Sequence, residues 1–286
     1  MAALIEPVQS GAALLDDIAR AQPGQGQVAI WWLGQSGYII KTPDTLLCID
    51  PYLSEHLTRK YDGTEKPHIR MTRAPLRGGD LRGIRWVFSS HKHSDHLDPE
   101  TVPDLLEVNP EARLVLPLLV ADHAVALGIA RDRLVTTRGD ETLTLDGMTV
   151  HIIPSAHPEL DYDAASGYPY VGFVFEINGV RLYHSGDTLV YDGLAQRLRP
   201  YTVDIGFLPI NGHPEHLAQL NVPPNMNADE ALQLAAASGI GVVIPHHYDM
   251  FTFNTADVTD FSRKAAASGQ PYRVLRCGER FIWPDY

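Results

Sequence analysis

The sequence predicts an α/β fold of the αββα type, two packed sheets with helices on their outer faces. Short strand-like runs come in two sets, and each set is followed by alternating helix-like and strand-like segments, the order expected of sheet layers covered by helices. A length of 286 residues with 44% apolar content supplies enough core for such a sandwich as a single domain spanning 1–286.

Leu14, Leu15 and Ile18 fall at helical spacing and Pro23-Gly24-Gln25-Gly26 breaks the pattern, so residues 1–26 read as a lead-in helix and linker. β-rich runs at 28–33, 37–41 and 46–50, separated by Gly34-Gln35-Ser36-Gly37 and Thr42-Pro43-Asp44, predict consecutive antiparallel strands. Trp31 and Trp32 lie in the first of these and are assigned to the core. Residues 51–83 carry charges, prolines and glycines without periodicity and read as a flap or insertion. A strand resumes at 85–90. Helices are then predicted at 100–107 and 120–127, and strands at 113–117 and 133–136. The second set of strands covers 142–145, 149–154, 170–177 and 180–184, with Asn178-Gly179 as a two-residue hairpin turn. An apolar run at 203–210, helices at 228–237 and 256–267, a strand at 242–245 and closing strands near Val274 and Phe281 complete the order.

The net charge of −12, without clustered Lys and Arg, argues against long nucleic acids and anionic membrane surfaces and favours a small substrate. No apolar run approaches the roughly 18 residues of a membrane span, and no basic segment precedes an apolar one at the N-terminus. A soluble, cytoplasmic chain is therefore expected, with room left for a homo-oligomer. Cys48 and Cys277 each lie in an apolar stretch, where a free thiol packs as a small hydrophobe.

The segment His91-Lys92-His93-Ser94-Asp95-His96 places four potential metal ligands within six residues directly after a strand. In an extended stretch side chains two apart share a face, so His91 and His93 suit one metal, while a turn sends Asp95 and His96 to a second. The bland alternative is a His-rich solvated loop. Three further residues count against it, each following a predicted strand: His157, Asp187 in Ser185-Gly186-Asp187-Thr188, and His247 in Pro245-His246-His247.

The set His91, His93, Asp95, His96, His157, Asp187 and His247 resembles the seven-ligand pattern of binuclear metallo-β-lactamase-fold hydrolases. Within that superfamily the chain is most similar to the branch containing L-ascorbate-6-phosphate lactonase. The stretches 29–34, 182–187, 242–245 with His247 and Asp249, and Phe281-Ile282-Trp283-Pro284 carry this similarity. The resemblance implies a first metal on His91, His93 and His157, a second on Asp95, His96 and His247, and Asp187 bridging them. It also implies a water shared by two divalent ions about 3.5 to 4 Å apart, with a pKa lowered toward about 7 to supply hydroxide. Asp95 is the catalytic candidate, orienting that hydroxide or taking its proton. Zn2+ suits three histidines and Mn2+ suits a bridging carboxylate.

Asp50, closing a strand, is placed to hold the free ring N–H of a ligand histidine; His184 and Asp249 flank the metal residues and are candidates for the same kind of support. His246 is expected to point away from its neighbour, and His56, His68, His123, His151 and His213 receive no metal role. Residues 61–73 contain Lys66, His68, Arg70 and Arg73, cations suited to an anionic substrate, and Arg70 with Tyr248 is taken as a substrate contact. The leading function is hydrolysis of a small polar, anionic ester or lactone, such as a sugar-acid lactone or sugar phosphate. The alternatives are a phosphodiesterase for a small cyclic or dinucleotide substrate and an inactive scaffold of the same fold.

Overall fold

The computed structural model describes residues 4–285. The chain opens on the helix Gly11–Arg20. Strands β1 (Val28–Gly34), β2 (Gly37–Lys41), β3 (Leu46–Ile49), β4 (Trp86–Phe88), β5 (Arg113–Pro117) and β6 (Leu134–Thr137) follow. They form one sheet, antiparallel from β1 to β3 and parallel from β3 to β6. Strands β7 (Thr142–Leu145), β8 (Met148–Pro154), β9 (Val171–Ile177), β10 (Val180–His184), β11 (Ile205–Pro209) and β12 (Val242–His246) form the second. It is antiparallel from β7 to β10 and parallel from β10 to β12. The last strand, β13 (Arg280–Trp283), returns to the first sheet and pairs antiparallel with β1. Each sheet is thus a meander continued by parallel strands, the duplicated order that the pattern of runs predicts.

Both faces of β1 are covered, which explains its unbroken apolar run. Val28, Ile30 and Trp32 face the second sheet and join Phe88, Phe173 and Phe175 in the core between the layers. Ala29, Trp31 and Leu33 face the other way, onto Leu14, Ile18 and Leu105 from the helices Gly11–Arg20 and Thr101–Val108. Burying a side chain of this size contributes about 1.5–3 kcal/mol. The Trp31 indole N–H also donates to Asp17 Oδ2 at 2.9 Å, fixing the lead-in helix on the sheet. Outside the second sheet, the helix Ala228–Ser238 begins with a reciprocal cap: Asn227 Oδ1 accepts from Glu230 N, and Glu230 Oε2 accepts from Asn227 N.

Residues 51–83 form no strand. They contain the short helix His56–Lys60 and are pinned by a small core of Tyr52 and Leu57 with Met250 and Phe251. The strand expected near Val274 is not present. Tyr272 makes one isolated bridge to Val243 on the outer edge of β12, after which the chain leaves the sheet. Cys48 and Cys277 are free and buried, as expected of apolar packing. No helix among the described residues is long and apolar enough to cross a membrane.

Candidate metal centre

The chemistry collects where strands end at one rim of the sandwich. Asp50 follows β3, the histidine motif follows β4, His157 follows β8, Asp187 follows β10 and His247 follows β12. Side chains leaving neighbouring strand ends converge on the crevice there. Gly186 lets them approach: at its φ of +58°, a Cβ would lie 2.7 Å from Ser90 Cβ and 2.9 Å from Val171 O. Asp187 is thereby delivered against the motif.

Three clusters of donor atoms result, each with its atoms within 4.8 Å of one another: His91, His93 and His157; His91, His96 and Asp187; Asp95, His96 and His247. All seven sequence-identified candidates are brought together. His91 and His96 are fully buried, His157, Asp187 and His247 nearly so, and Asp95 is partly exposed. Asp187 reaches across the clusters, with Oδ1 3.4 Å from His96 Nε2, and Oδ2 3.4 Å from His247 Nε2 and 3.7 Å from His157 Nε2.

The donor set fits a divalent cation on three grounds. His91 Nε2 and His93 Nδ1 face each other at 2.9 Å. Burial holds both rings below the usual histidine range, and burial takes His157 down to about 4, so these rings are neutral and offer lone pairs. Secondly, His96 Nε2 and Asp187 Oδ1 are buried and face each other at 3.4 Å, outside good hydrogen-bond geometry, an arrangement that costs free energy unless something binds between them. Thirdly, burial opposes charge on His96, yet the carboxylates of Asp187, Asp50 and Asp95 outweigh it and push its pKa well up. The site attracts positive charge.

Other groups fix the rings. Asp50 accepts from His96 Nδ1 at 2.7 Å, from Ser90 N at 2.8 Å and from Ser90 Oγ at 2.6 Å, so His96 is left with Nε2 toward the cluster. His157 Nδ1 donates to Pro224 O at 3.0 Å with the same effect. His184 accepts from Gly186 N at 3.1 Å and donates from Nε2 to Ser36 O at 2.9 Å, which shapes the turn carrying Asp187. His246 stacks on His184 and bonds Ser36 Oγ, away from the clusters. The hydrogen bonds of Asp249 run through its backbone, to Thr72 Oγ1 and Thr255 Oγ1, so it supports a loop rather than a ring.

Two expected substrate contacts lie elsewhere. Arg70 is buried beneath residues 51–73: Nη2 donates to Ser54 O at 2.8 Å, Nη1 to Thr72 O at 3.1 Å, and Nε lies 3.0 Å from Glu55 Oε1. Its guanidinium is spent on backbone carbonyls, and Arg70→Met is therefore expected to lower stability by about 2 kcal/mol, the scale of hydrogen bonds to a charged group. Urea unfolding checks this; an unchanged midpoint together with a raised KM for anions would restore the clamp. Tyr248 is likewise buried, donating to Leu275 O at 2.5 Å and stacking on Trp32.

The open side of the centre is a cleft of about 410 Å³, the size of a small-molecule site. Leu57, Lys60, Tyr61, Lys66 and His68 line it, so residues 51–83 do border the site, and Lys92, His123, Asn225 and Asn254 are among its other lining residues. Burial, followed by the cations of Lys92 and Lys60, holds His123 below its usual range. Sequence reasoning passed over Lys60, Lys92, Asn225 and Gln35. Lys92 lies inside the histidine motif itself and Gln35 inside a recognised turn, but nothing in either segment marks the direction of the side chain.

Residues 46–248 match the profile of the beta-lactamase superfamily domain. Proteins described as probable L-ascorbate-6-phosphate lactonases from Salmonella gallinarum and Escherichia coli are 22% identical over 309 residues, covering 96% of this chain and 86% of theirs. Among solved structures, Igni18, a metallo hydrolase of Ignicoccus hospitalis, superposes with a TM-score of 0.67 at 20% identity, covering 91% of this chain and 100% of its own. An isothiocyanate hydrolase from Delia radicum gut bacteria superposes at 0.71 and 16% identity, covering 88% and 98%. With a profile match over more than half its length and buried histidine and aspartate clusters at the strand ends, the chain belongs to the beta-lactamase superfamily and is a metallo-β-lactamase-fold hydrolase.

Proposed function

We propose that the chain hydrolyses a small polar, anionic ester or lactone with two divalent ions, Zn2+ or Mn2+. The observation that carries this reading is the continuous donor set in which Asp187 touches members of all three clusters. His91, His93 and His157 would hold one ion, Asp95, His96 and His247 the other, and Asp187 would serve both. When bound, such ions supply Lewis acidity toward a carbonyl or phosphoryl oxygen and a lowered pKa for water. The protein's own part is positioning. Asp50 and Pro224 O fix the tautomers of His96 and His157, and Asp95, the carboxylate nearest the open side, orients the attacking water and takes its proton.

Substrate charge is read by lysines rather than by Arg70. The chain has five lysines: Lys264 pairs with Asp229 and Asp260, Lys41 donates to the carbonyls of Ile18 and Ala19, and Lys60, Lys66 and Lys92 all line the cleft. In a chain of net charge −12, that placement supports an anionic ligand. The test is metal analysis of the purified protein, followed by a screen of lactones, phosphodiesters and phosphorylated sugars with Zn2+ and Mn2+ in turn. Two ions per chain and turnover of an anionic lactone or ester are expected. A Lys60→Gln/Lys92→Gln double variant should raise KM for that substrate by about 3- to 10-fold with kcat nearly constant. A stoichiometry well below two under metal-replete conditions, or turnover of phosphodiesters alone, would refute the proposal.

A further inference from the structure

Gln35 occupies the turn between β1 and β2, fully buried, with a φ of +49° that residues other than glycine seldom take. Its backbone carbonyl accepts from Trp32 Nε1 at 3.0 Å and from His247 N at 3.2 Å, so the residue is tied to β1 and to the loop that carries His247. The side chain runs into the metal centre. Gln35 Nε2 lies 2.8 Å from Asp95 Oδ2 and 3.0 Å from His247 Nε2, while Gln35 Oε1 is buried without a hydrogen-bond partner.

That arrangement conflicts with a cation at Asp95, His96 and His247. The N–H groups of the amide point at the lone pairs of Asp95 and His247, and an ion needs those same lone pairs. The two ends of a carboxamide have nearly the same shape, and their assignment follows whichever hydrogen-bond network surrounds them. A half-turn of the terminal amide exchanges Nε2 and Oε1, removes the competing N–H donors and places an oxygen toward Asp95 and His247. It also turns the Oε1 that is buried without a partner toward the place where a cation would give it one, with Nε2 taking its former position.

We infer that Gln35 is a further protein ligand of the second metal, binding through Oε1. The inference rests on the two-metal reading. It makes the two positions chemically unlike: three imidazoles with one oxygen of Asp187 at the first, and at the second two imidazoles with the oxygens of Asp95, Asp187 and Gln35. Oxygen-rich sites suit harder ions such as Mn2+, whereas imidazole suits Zn2+. The second position is therefore the more manganese-tolerant of the two.

The test is competition between the full-length, metal-loaded protein and a chromogenic chelator, which yields stepwise dissociation constants without any substrate. Wild type should show two constants. Gln35→Leu should weaken the second by about 10-fold or more, the scale seen for residues that support metal sites, with the first unchanged as a control on folding. Gln35→Glu, of the same shape with two terminal oxygens, should tighten the second constant. Mn2+ should lose more than Zn2+ in the leucine variant. If Gln35→Leu binds the second ion as tightly as wild type or more tightly, the amide only obstructs the site and the inference fails. A weakened second constant in Gln35→Glu is equally fatal to it. Wild type with a single constant overturns the two-metal reading itself, whereas two constants insensitive to residue 35 overturn only this role.

Discussion

Asp187→Asn is expected to lower kcat/KM by about 10²- to 10³-fold, the scale of losing a group that organises charge at a reacting centre. Its carboxylate lies 3.4 Å from His96 Nε2, 3.4 Å from His247 Nε2 and 3.7 Å from His157 Nε2. An amide presents one acceptor and two N–H donors, so one of these edges would meet a donor instead of a lone pair. The formal charge falls by one unit where burial already disfavours any ion, and where His96 and then His247, close beside it, hold the Asp187 carboxyl well below the ordinary carboxylate range. Because Asn and Asp have the same outline, packing is preserved and the metal count becomes the informative readout. Wild-type turnover with a full metal complement in Asp187→Asn would remove the bridging role.

The second large effect concerns Asp50. It is fully buried and accepts three hydrogen bonds, from His96 Nδ1, Ser90 N and Ser90 Oγ. Asp50→Ala strands a buried imidazole and a buried amide N–H at once, and breaking such a pair costs about 3–5 kcal/mol of folding free energy. Metal affinity should drop by about 10- to 100-fold in the same variant, because His96 is no longer held in one tautomer. Asp50→Asn separates the two effects. Asparagine tolerates the φ of +43° at this position and can still accept from Ser90, so stability should recover more than metal affinity does. Equal recovery of both, by urea unfolding and chelator competition, would show that the carboxylate acts only as packing.

The parts of this molecule that sequence reveals are those with a period or a fixed spacing. Strand runs ending in His or Asp state where the chain emerges from a sheet, and this is why all seven candidate ligands could be picked out before their convergence was visible. Val274 shows the limit of the same rule: it belongs to an apolar run, but only Tyr272 finds an edge to pair with, so the pattern yields a bridge and no strand. Arg70 fails for a different reason. A cation in an irregular polar stretch reads as a side chain free to meet an anionic substrate, and only the tertiary closure of residues 51–73 over it, with Ser54 O and Thr72 O turned inward, makes it internal. Gln35 has no sequence signature because its relevance depends on Asp95 and His247, 60 and 212 residues away.

The pairing of β13 with β1 has a consequence for the order in which the molecule is assembled. Val28 and Trp283 are partners 255 residues apart. As the polypeptide emerges from the ribosome, the outer edge of β1 has no neighbour until almost everything else, His247 included, has been synthesised. A nascent chain with its metal-binding groups already present therefore still carries the apolar β1 with that edge uncovered. That edge is where a second nascent copy could add before β13 arrives, and shielding it is the work a chaperone would have to do for this protein.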